Sequence, residues 1–177
     1  AADRDYPPFD RSTRDGFAVR AADLVRLPLT LKRVGEIKAG DTWQGGPLSA
    51  GACVQIMTGA AVPPGADAVV MIEHTRPSTS AVTFERAAEL GQNIVPRGSE
   101  ARAGQKLLAA GQRLGYAELA LAAQVGAARV EVFRKPRIAL LSTGDEVVAL
   151  DAQPGPFQIR NSNCVSLAAQ AQLAGAE

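Results

Sequence analysis

The chain has 177 residues, of which 46% are hydrophobic and 21% charged, which is enough for one ordinary domain or two small ones with a genuine core and too apolar for wholesale disorder. Nineteen Lys and Arg against 18 Asp and Glu leave a formal net charge of +1, so no overall field recruits nucleic acid or an anionic membrane, and any bound anion must be met by local groups. Cys53, Cys164 and the single histidine, His74, fit neither a disulfide framework nor a structural zinc site. No apolar run reaches the roughly eighteen residues of a membrane helix, and residues 1–10 lack the positive-then-apolar order of a signal peptide, which predicts a cytoplasmic protein with reduced thiols.

Up to about residue 104, Gly and Pro punctuate short apolar runs. Leu29–Val34, Val54–Met57, Ala68–Ile72 and Ala81–Phe84 read as strands. Turn chemistry separates them at Gly45-Gly46-Pro47, from Gly59 to Asp67, and at Arg97-Gly98-Ser99, predicting a β-rich unit with little helix. Tyr116, Leu119, Ala120 and Ala123 then recur at i, i+3, i+4 and i+7, predicting an amphipathic helix capped by Gly126. Arg129–Phe133 bridges to Pro136, which ends any continuing helix and marks a boundary.

Ile138–Leu141 is continuously apolar, as suits a parallel strand covered on both faces, and Ser142 to Glu146 follow at its C-terminal end. Asn161-Ser162-Asn163 offers capping oxygens ahead of a helix through Val165, Leu167, Ala168 and Ala171 that ends at Gly175. One β-loop-α unit leaves its strand edges unpaired, so the chain is expected to be a piece of a longer protein.

Four stretches carry groups suited to chemistry. In Tyr6 to Val19 two prolines stiffen the approach, and Gly16 permits a tight bend that projects Asp15 into a cleft; the same dipeptide also reads as a plain Asp-Gly turn between strands. In Met57-Thr58-Gly59-Ala60 a hydroxyl and backbone amides at a strand end can hold an oxyanion, or Thr58 is only a strand-end hydroxyl. Ser142-Thr143-Gly144-Asp145-Glu146 stands where open α/β sheets bind ligands: Gly144 lets a phosphate approach the backbone, and Asp145 or Glu146 can coordinate magnesium. Its alternative is a solvated acidic helix start. In Gly91 to Glu100, Arg97 can meet an anion with its planar fork or simply face solvent, and the default role of Asn161 and Asn163 is helix capping. A P-loop, a Gly-x-Gly-x-x-Gly turn and a nucleophilic Ser-His pairing are all missing, which removes the main support for kinase, dinucleotide-dehydrogenase and serine-hydrolase readings.

Six stretches in order carry a family resemblance. They are Pro7-Pro8-Phe9-Asp10 through Asp15-Gly16, Gly35-Glu36 with Ala39-Gly40, Met57-Thr58-Gly59 with Pro64 to Val70, Gly91-Gln92-Asn93-Ile94 with Arg97-Gly98, Ser142 to Glu146, and Asn161-Ser162-Asn163. Together they resemble the molybdopterin molybdenumtransferase family, MoeA, which includes the E domain of gephyrin, over nearly the whole chain.

The resemblance implies an α+β multidomain protein. A β-rich inserted module would occupy 4–104, a helical linker module 105–135, and the truncated start of a three-layer α/β molybdopterin-binding domain 136–177. The implied reaction inserts molybdenum from molybdate into adenylyl-molybdopterin with release of AMP, in a magnesium-dependent step. By the same resemblance Asp15, Thr58 and Glu146 are needed for activity, with Glu146 near the metal. Ser142, Thr143, Gly144, Asp145, Asn161 and Asn163 would line the pterin-adenylate pocket, and Arg97 and Glu100 would sit on the facing β-rich module.

The resemblance further implies a homodimer served by an upstream molybdopterin adenylyltransferase, with no nucleic acid or membrane as partner. Arg11 and Arg14 stand where the family pattern Asn-Ser-Ala-Met-Asp-Gly-Tyr is neutral, Val95-Pro96 where it is richer in arginine, and Ser99-Glu100 where it has an acidic pair. Arg11 and Arg14 are expected to restore positive charge near that motif. The family's later glycine-rich segment and C-terminal β-barrel lie beyond Glu177, so the fragment itself is expected to be inactive. Two alternatives from other classes are a non-catalytic molybdopterin-binding or scaffold protein, and a self-associating β-rich interaction module.

Overall fold

The apolar runs of the first hundred residues pair into one mixed six-stranded sheet in the computed structural model, which describes residues 1–177. The chain divides into two units, Ala1–Ala128 and Arg129–Glu177, and it is mostly strand with few helices.

In the first unit β1 is Arg11–Ser12, β2 Gly16–Val19, β3 Leu29–Ile37, β4 Ala52–Ile56, β5 Ala68–Met71, β6 Thr75–Pro77, β7 Ala81–Phe84 and β8 Ile94–Val95. The sheet order is β5-β2-β4-β3-β7-β6, with only β3 and β4 parallel, while β1 and β8 form a separate antiparallel pair. The four predicted strands appear as β3, β4, β5 and β7. β1, β2, β6 and β8 were not predicted: β1, β6 and β8 have only two or three residues, and β2 begins within Asp15-Gly16, which reads equally as a turn.

Both faces of the sheet are buried. Phe17, Leu31, Cys53, Val70, Val82 and Phe84 pack on one side, while Ala18, Ile37, Val54, Ile56 and Val69 pack on the other. Side chains alternate along a strand, so Leu31 and Ile37, an even number of positions apart, would share a face of a regular β3. A bulge between Arg33 and Gly35 inserts Val34 and reverses the parity, sending the two residues to opposite cores. Phe17 and Phe84 meet edge to face, with ring centroids 6.0 Å apart and planes at 81°.

Helix α1, Tyr116–Gln124, begins where the Gly115 N–H donates to Glu118 Oε2 at 2.9 Å and ends before Gly126, whose φ of +75° provides the predicted cap. Ala122 is its only buried residue, and Tyr116 and Leu119 are exposed. Near its C-terminus the Tyr6 hydroxyl lies 2.9 Å from the Gln124 carbonyl, beside a small cluster of Ala2, Tyr6 and Ala101.

In the second unit β9, Val147–Val148, pairs in parallel with β10, Ile159–Arg160, and α2 spans Ser162–Leu173. The expectation of a strand at Ile138–Leu141 is corrected: this run is irregular. Its neighbour is the single residue Glu177, which accepts from the Ile138 N–H and donates to the Pro136 carbonyl, and two bonds do not make a ladder. Asn161 caps α2 as predicted, its Oδ1 accepting from the Cys164 N–H at 3.2 Å.

Candidate functional site

Sheet order builds the surroundings of Asp15. Because β2 is threaded between β4 and β5, Gly16 faces Ile56 on one side and Met71 on the other, so Asp15 stands where both neighbouring strands end. The strand is this close only because residue 16 is glycine: a Cβ there would lie 1.9 Å from the Val70 carbonyl oxygen.

The loop leaving β4 bends back over Asp15, with Gly59 in the left-handed region at φ +86°. The Thr58 N–H donates to Asp15 Oδ1 at 2.6 Å, and the Ile72 N–H donates to the Asp15 carbonyl at 3.1 Å. The Thr58 amide, and after it the Thr58 hydroxyl, holds the Asp15 carboxyl below the usual carboxylate range, since hydrogen bonds to the charged form favour it.

The amides around Thr58 differ from their sequence reading. Met57 N–H donates to Ile37, Thr58 N–H to Asp15, Gly59 N–H to Ser12 and Ala60 N–H back to Met57. All four are engaged inside the fold, so they form no open nest for an oxyanion.

Arg97 and Glu100 lie together near β1 and β8, each already partnered. Arg97 Nε pairs with Asp5 Oδ2 at 2.7 Å and its N–H donates to Asp10 Oδ1, while Glu100 pairs with Arg11 at 3.2 Å. Arg11 therefore does add charge beside the motif, but it is engaged with Glu100. The Ala103 N–H, and then Arg97, holds the Asp5 carboxyl below its usual range. These pairs are largely exposed, where ion pairs are worth little and exchange readily for another anion.

The second unit carries the remaining predicted residues. Ser142 Oγ donates to Asn161 Oδ1 at 3.1 Å, so these two meet across 19 positions. Gly144, at φ +143°, lets the Glu146 carboxylate fold against it, since an added Cβ would lie 2.6 Å from Glu146 Oε2. The Val147 N–H then bonds the Gly144 carbonyl, closing the acidic turn at the start of β9. Thr143, Asp145 and Asn163 are exposed.

Nowhere do three His, Cys, Asp or Glu side chains gather as metal ligands. The chain therefore offers magnesium no all-protein cage, but the consecutive carboxylates Asp145 and Glu146 match the one or two that magnesium takes when a substrate phosphate supplies the rest.

Sequence reasoning missed Ser12, Asp5 and Asp10 as supports of the site. Ser12 is buried and its hydroxyl donates to the Arg14 carbonyl at 2.7 Å, a short-range hydroxyl turn whose only signal is a Ser two residues before an arginine. A groove of about 700 Å³ between β3 and the loop at 41–49, lined by Glu36, Trp43 and Leu48, holds none of the predicted site residues.

A family model described as "MoeA N-terminal region (domain I and II)" matches residues 1–126. The molybdopterin molybdenumtransferase of Bacillus subtilis is 41% identical over 99% of this chain and 42% of its own length, and that of Nostoc sp. is 39% identical over 98% and 40%. Two crystal structures of the molybdopterin biosynthesis MoeA protein from Pyrococcus horikoshii each align with 99% of the chain. One has TM-score 0.89 at 27% identity and covers 48% of that structure; the other has TM-score 0.78 at 36% identity and covers 46%. The chain thus spans about two-fifths of the length of the curated relatives it matches. With the family model covering most of its length, the chain belongs to the MoeA family.

Proposed function

We propose that the complete protein is a molybdopterin molybdenumtransferase of molybdenum cofactor biosynthesis, inserting molybdenum from molybdate into adenylyl-molybdopterin with release of AMP. The relatives' names support the reaction, and the observation that carries it to this chain is the Asp15–Thr58 contact at 2.6 Å, which unites two of the residues assigned to activity.

Asp15 offers acceptor oxygens only, so its carboxylate orders the Thr58 loop and can receive a proton or hydrogen bond from substrate; it does not cradle an oxyanion. The Thr58 hydroxyl, once exchanged from Asp15, would donate to molybdate. Arg97, once exchanged from Asp5, would meet an anionic group of the pterin substrate, with Glu100 beside it. Ser142, Thr143, Gly144, Asp145, Asn161 and Asn163 are proposed to bind the pterin-adenylate, with amide and hydroxyl groups directed to phosphate. Magnesium, held by Glu146 with Asp145 beside it, would neutralise charge on the phosphoanhydride as it breaks. No covalent nucleophile is required, because holding two bound partners in register supplies much of the acceleration.

The same proposal includes modules at 4–104, 105–135 and 136–177, a homodimer, a cytoplasmic location, and receipt of substrate from a molybdopterin adenylyltransferase. No helix is long and apolar enough to cross a membrane. The test is cofactor formation by the complete protein from adenylyl-molybdopterin, molybdate and magnesium. Asp15→Ala and Glu146→Ala are expected to abolish AMP release and cofactor formation while leaving the protein folded. Normal rates in both variants would overturn the assignment of Asp15 and Glu146 to the reaction, and substrate binding by the wild type without AMP release would replace this reading with the scaffold one.

A further inference from the structure

We infer that Asn93 is a positioning residue for the Asp15–Thr58 pair: its left-handed backbone, anchored by its own carboxamide, presents the carbonyl that fixes Thr13 and with it the Asp15 turn. The inference rests on the assignment of Asp15 and Thr58 to the reaction and names what holds them in place.

Asn93 is the one non-glycine residue with positive φ, at +59°. L-residues pay for this region through a close approach of Cβ to the carbonyl, and Asn is among the few that tolerate it. Its surroundings explain why the conformation persists. The Asn93 side-chain N–H donates to the Val69 carbonyl of β5 at 2.8 Å, pinning the residue to the outer edge of the sheet. Its carbonyl, turned the other way, accepts both the Thr13 N–H at 3.0 Å and the Thr13 hydroxyl at 3.2 Å. Asn93 is therefore where the 91–94 loop crosses from the edge of β5 to the segment that leads into Asp15.

Besides the Ile72 N–H on the Asp15 carbonyl and the Ser12 hydroxyl on the Arg14 carbonyl, the segment leading into Asp15 is tied on two sides. On one side Ser12 donates to Ala60 and accepts from Gly59, tying the turn to the loop that carries Thr58. On the other side Thr13 is held by Asn93 alone among the hydrogen bonds of its N–H and hydroxyl. Releasing Asn93 leaves the Ser12 and Ile72 bonds intact but frees Thr13, which loosens the approach to Asp15 and lengthens the short Thr58–Asp15 hydrogen bond without opening the sheet below it.

A glycine at 93 adopts the same backbone without strain but gives up the anchor on Val69, whereas a β-branched residue loses the anchor and also resists the backbone. That contrast separates positioning from simple packing. In the 177-residue chain, the Asp15 carboxyl is titrated by carbon NMR and the Thr58 amide proton shift is read alongside those of Val54 and Ile56. Asn93→Val is expected to move the Asp15 titration up toward the usual carboxylate value and to shift the Thr58 amide upfield, with Val54 and Ile56 unmoved. Asn93→Gly, which keeps the backbone conformation but loses the carboxamide bond to Val69, is expected to move both readouts in the same direction by clearly less than Asn93→Val. If Asn93→Val does not fold, Asn93→Ala takes its place in the same comparison. An unmoved Asp15 titration in the Val or Ala variant, or a Gly variant displaced as far as that variant, overturns the inference. Because this readout is geometric, it can fail while the activity assay on Asp15→Ala succeeds, and the reverse.

Discussion

The Thr58 N–H reaches Oδ1 of Asp15 at 2.6 Å although the two residues stand 43 positions apart. The contact follows from strand order: β2 runs antiparallel between β4 and β5, so the residue preceding β2 and the residues following β4 arrive at the same end of the sheet.

One consequence is a dependence of stability on acid. The Asp15 carboxyl, lowered by the Thr58 amide, contributes stability above the ordinary carboxylate value of about 3.9, and that contribution is lost as pH falls through the lower native value. Asp3, lowered by the Tyr6 hydroxyl, and Asp5, lowered by the Ala103 N–H, act in the same direction. Urea midpoints measured from pH 7 down to 3 are expected to fall in the acid limb, and Asp15→Asn is expected to flatten part of that fall. An acid limb identical in the variant would refute the role given to Asp15.

Gly16→Ala is expected to be severe. The new Cβ would sit 1.9 Å from one backbone carbonyl oxygen, which cannot rotate away as a side chain would. Overpacking of this kind costs about 3 kcal/mol or more when backbone must move. Urea unfolding followed by circular dichroism checks it.

Phe84→Ala removes half of the aromatic pair at the centre of one core face, where both rings are fully buried. The expected loss is about 3–5 kcal/mol. Fluorescence of Trp43, the only tryptophan, reports the transition, and Phe84→Leu should recover more than half of the loss.

The two thiols should differ sharply in reactivity. Burial pushes the Cys53 thiol up to about 12, against a smaller opposing effect from Arg33, whereas Cys164 is half-buried on α2. Since the thiolate is the nucleophile, brief treatment of the native chain with iodoacetamide at pH 8 should modify Cys164 and spare Cys53. Mass spectrometry after proteolysis locates the label, and equal labelling would contradict the packing of β4.

Asn161→Ala removes the acceptor for both the Cys164 N–H and the Ser142 hydroxyl. Loss of the cap should cost α2 about 1 kcal/mol, seen as faster hydrogen exchange at Cys164, while Asn161→Asp should keep the cap.

Much of the local structure was legible because local chemistry suffices for it. Leu29 to Val34, Val54 to Met57, Ala68 to Ile72 and Ala81 to Phe84 are β-branched or apolar runs between turn residues, and they pair as strands. Gly126 and Asn161 end and begin their helices for reasons contained in one turn of chain. Ile138–Leu141 shows the limit: an apolar run states that it needs a neighbour, and only pairing supplies one. The site divides the same way. Asp15, Thr58, Ser142 and Asn161 stood out by residue type and motif, but their contacts did not.

The order of residues alone determined where backbone bends, which runs are apolar, and which side chains can donate, accept or carry charge, because these depend on atoms a few bonds apart. Tertiary structure alone decided that β2 lies between β4 and β5, that the bulge at Val34 sends Leu31 and Ile37 to opposite cores, and that the amides near Thr58 turn inward. Those outcomes depend on register between distant segments. A slip of one residue would send the side chains of a strand to the opposite core, where their sizes do not fit, and the cost is felt only when the whole sheet closes.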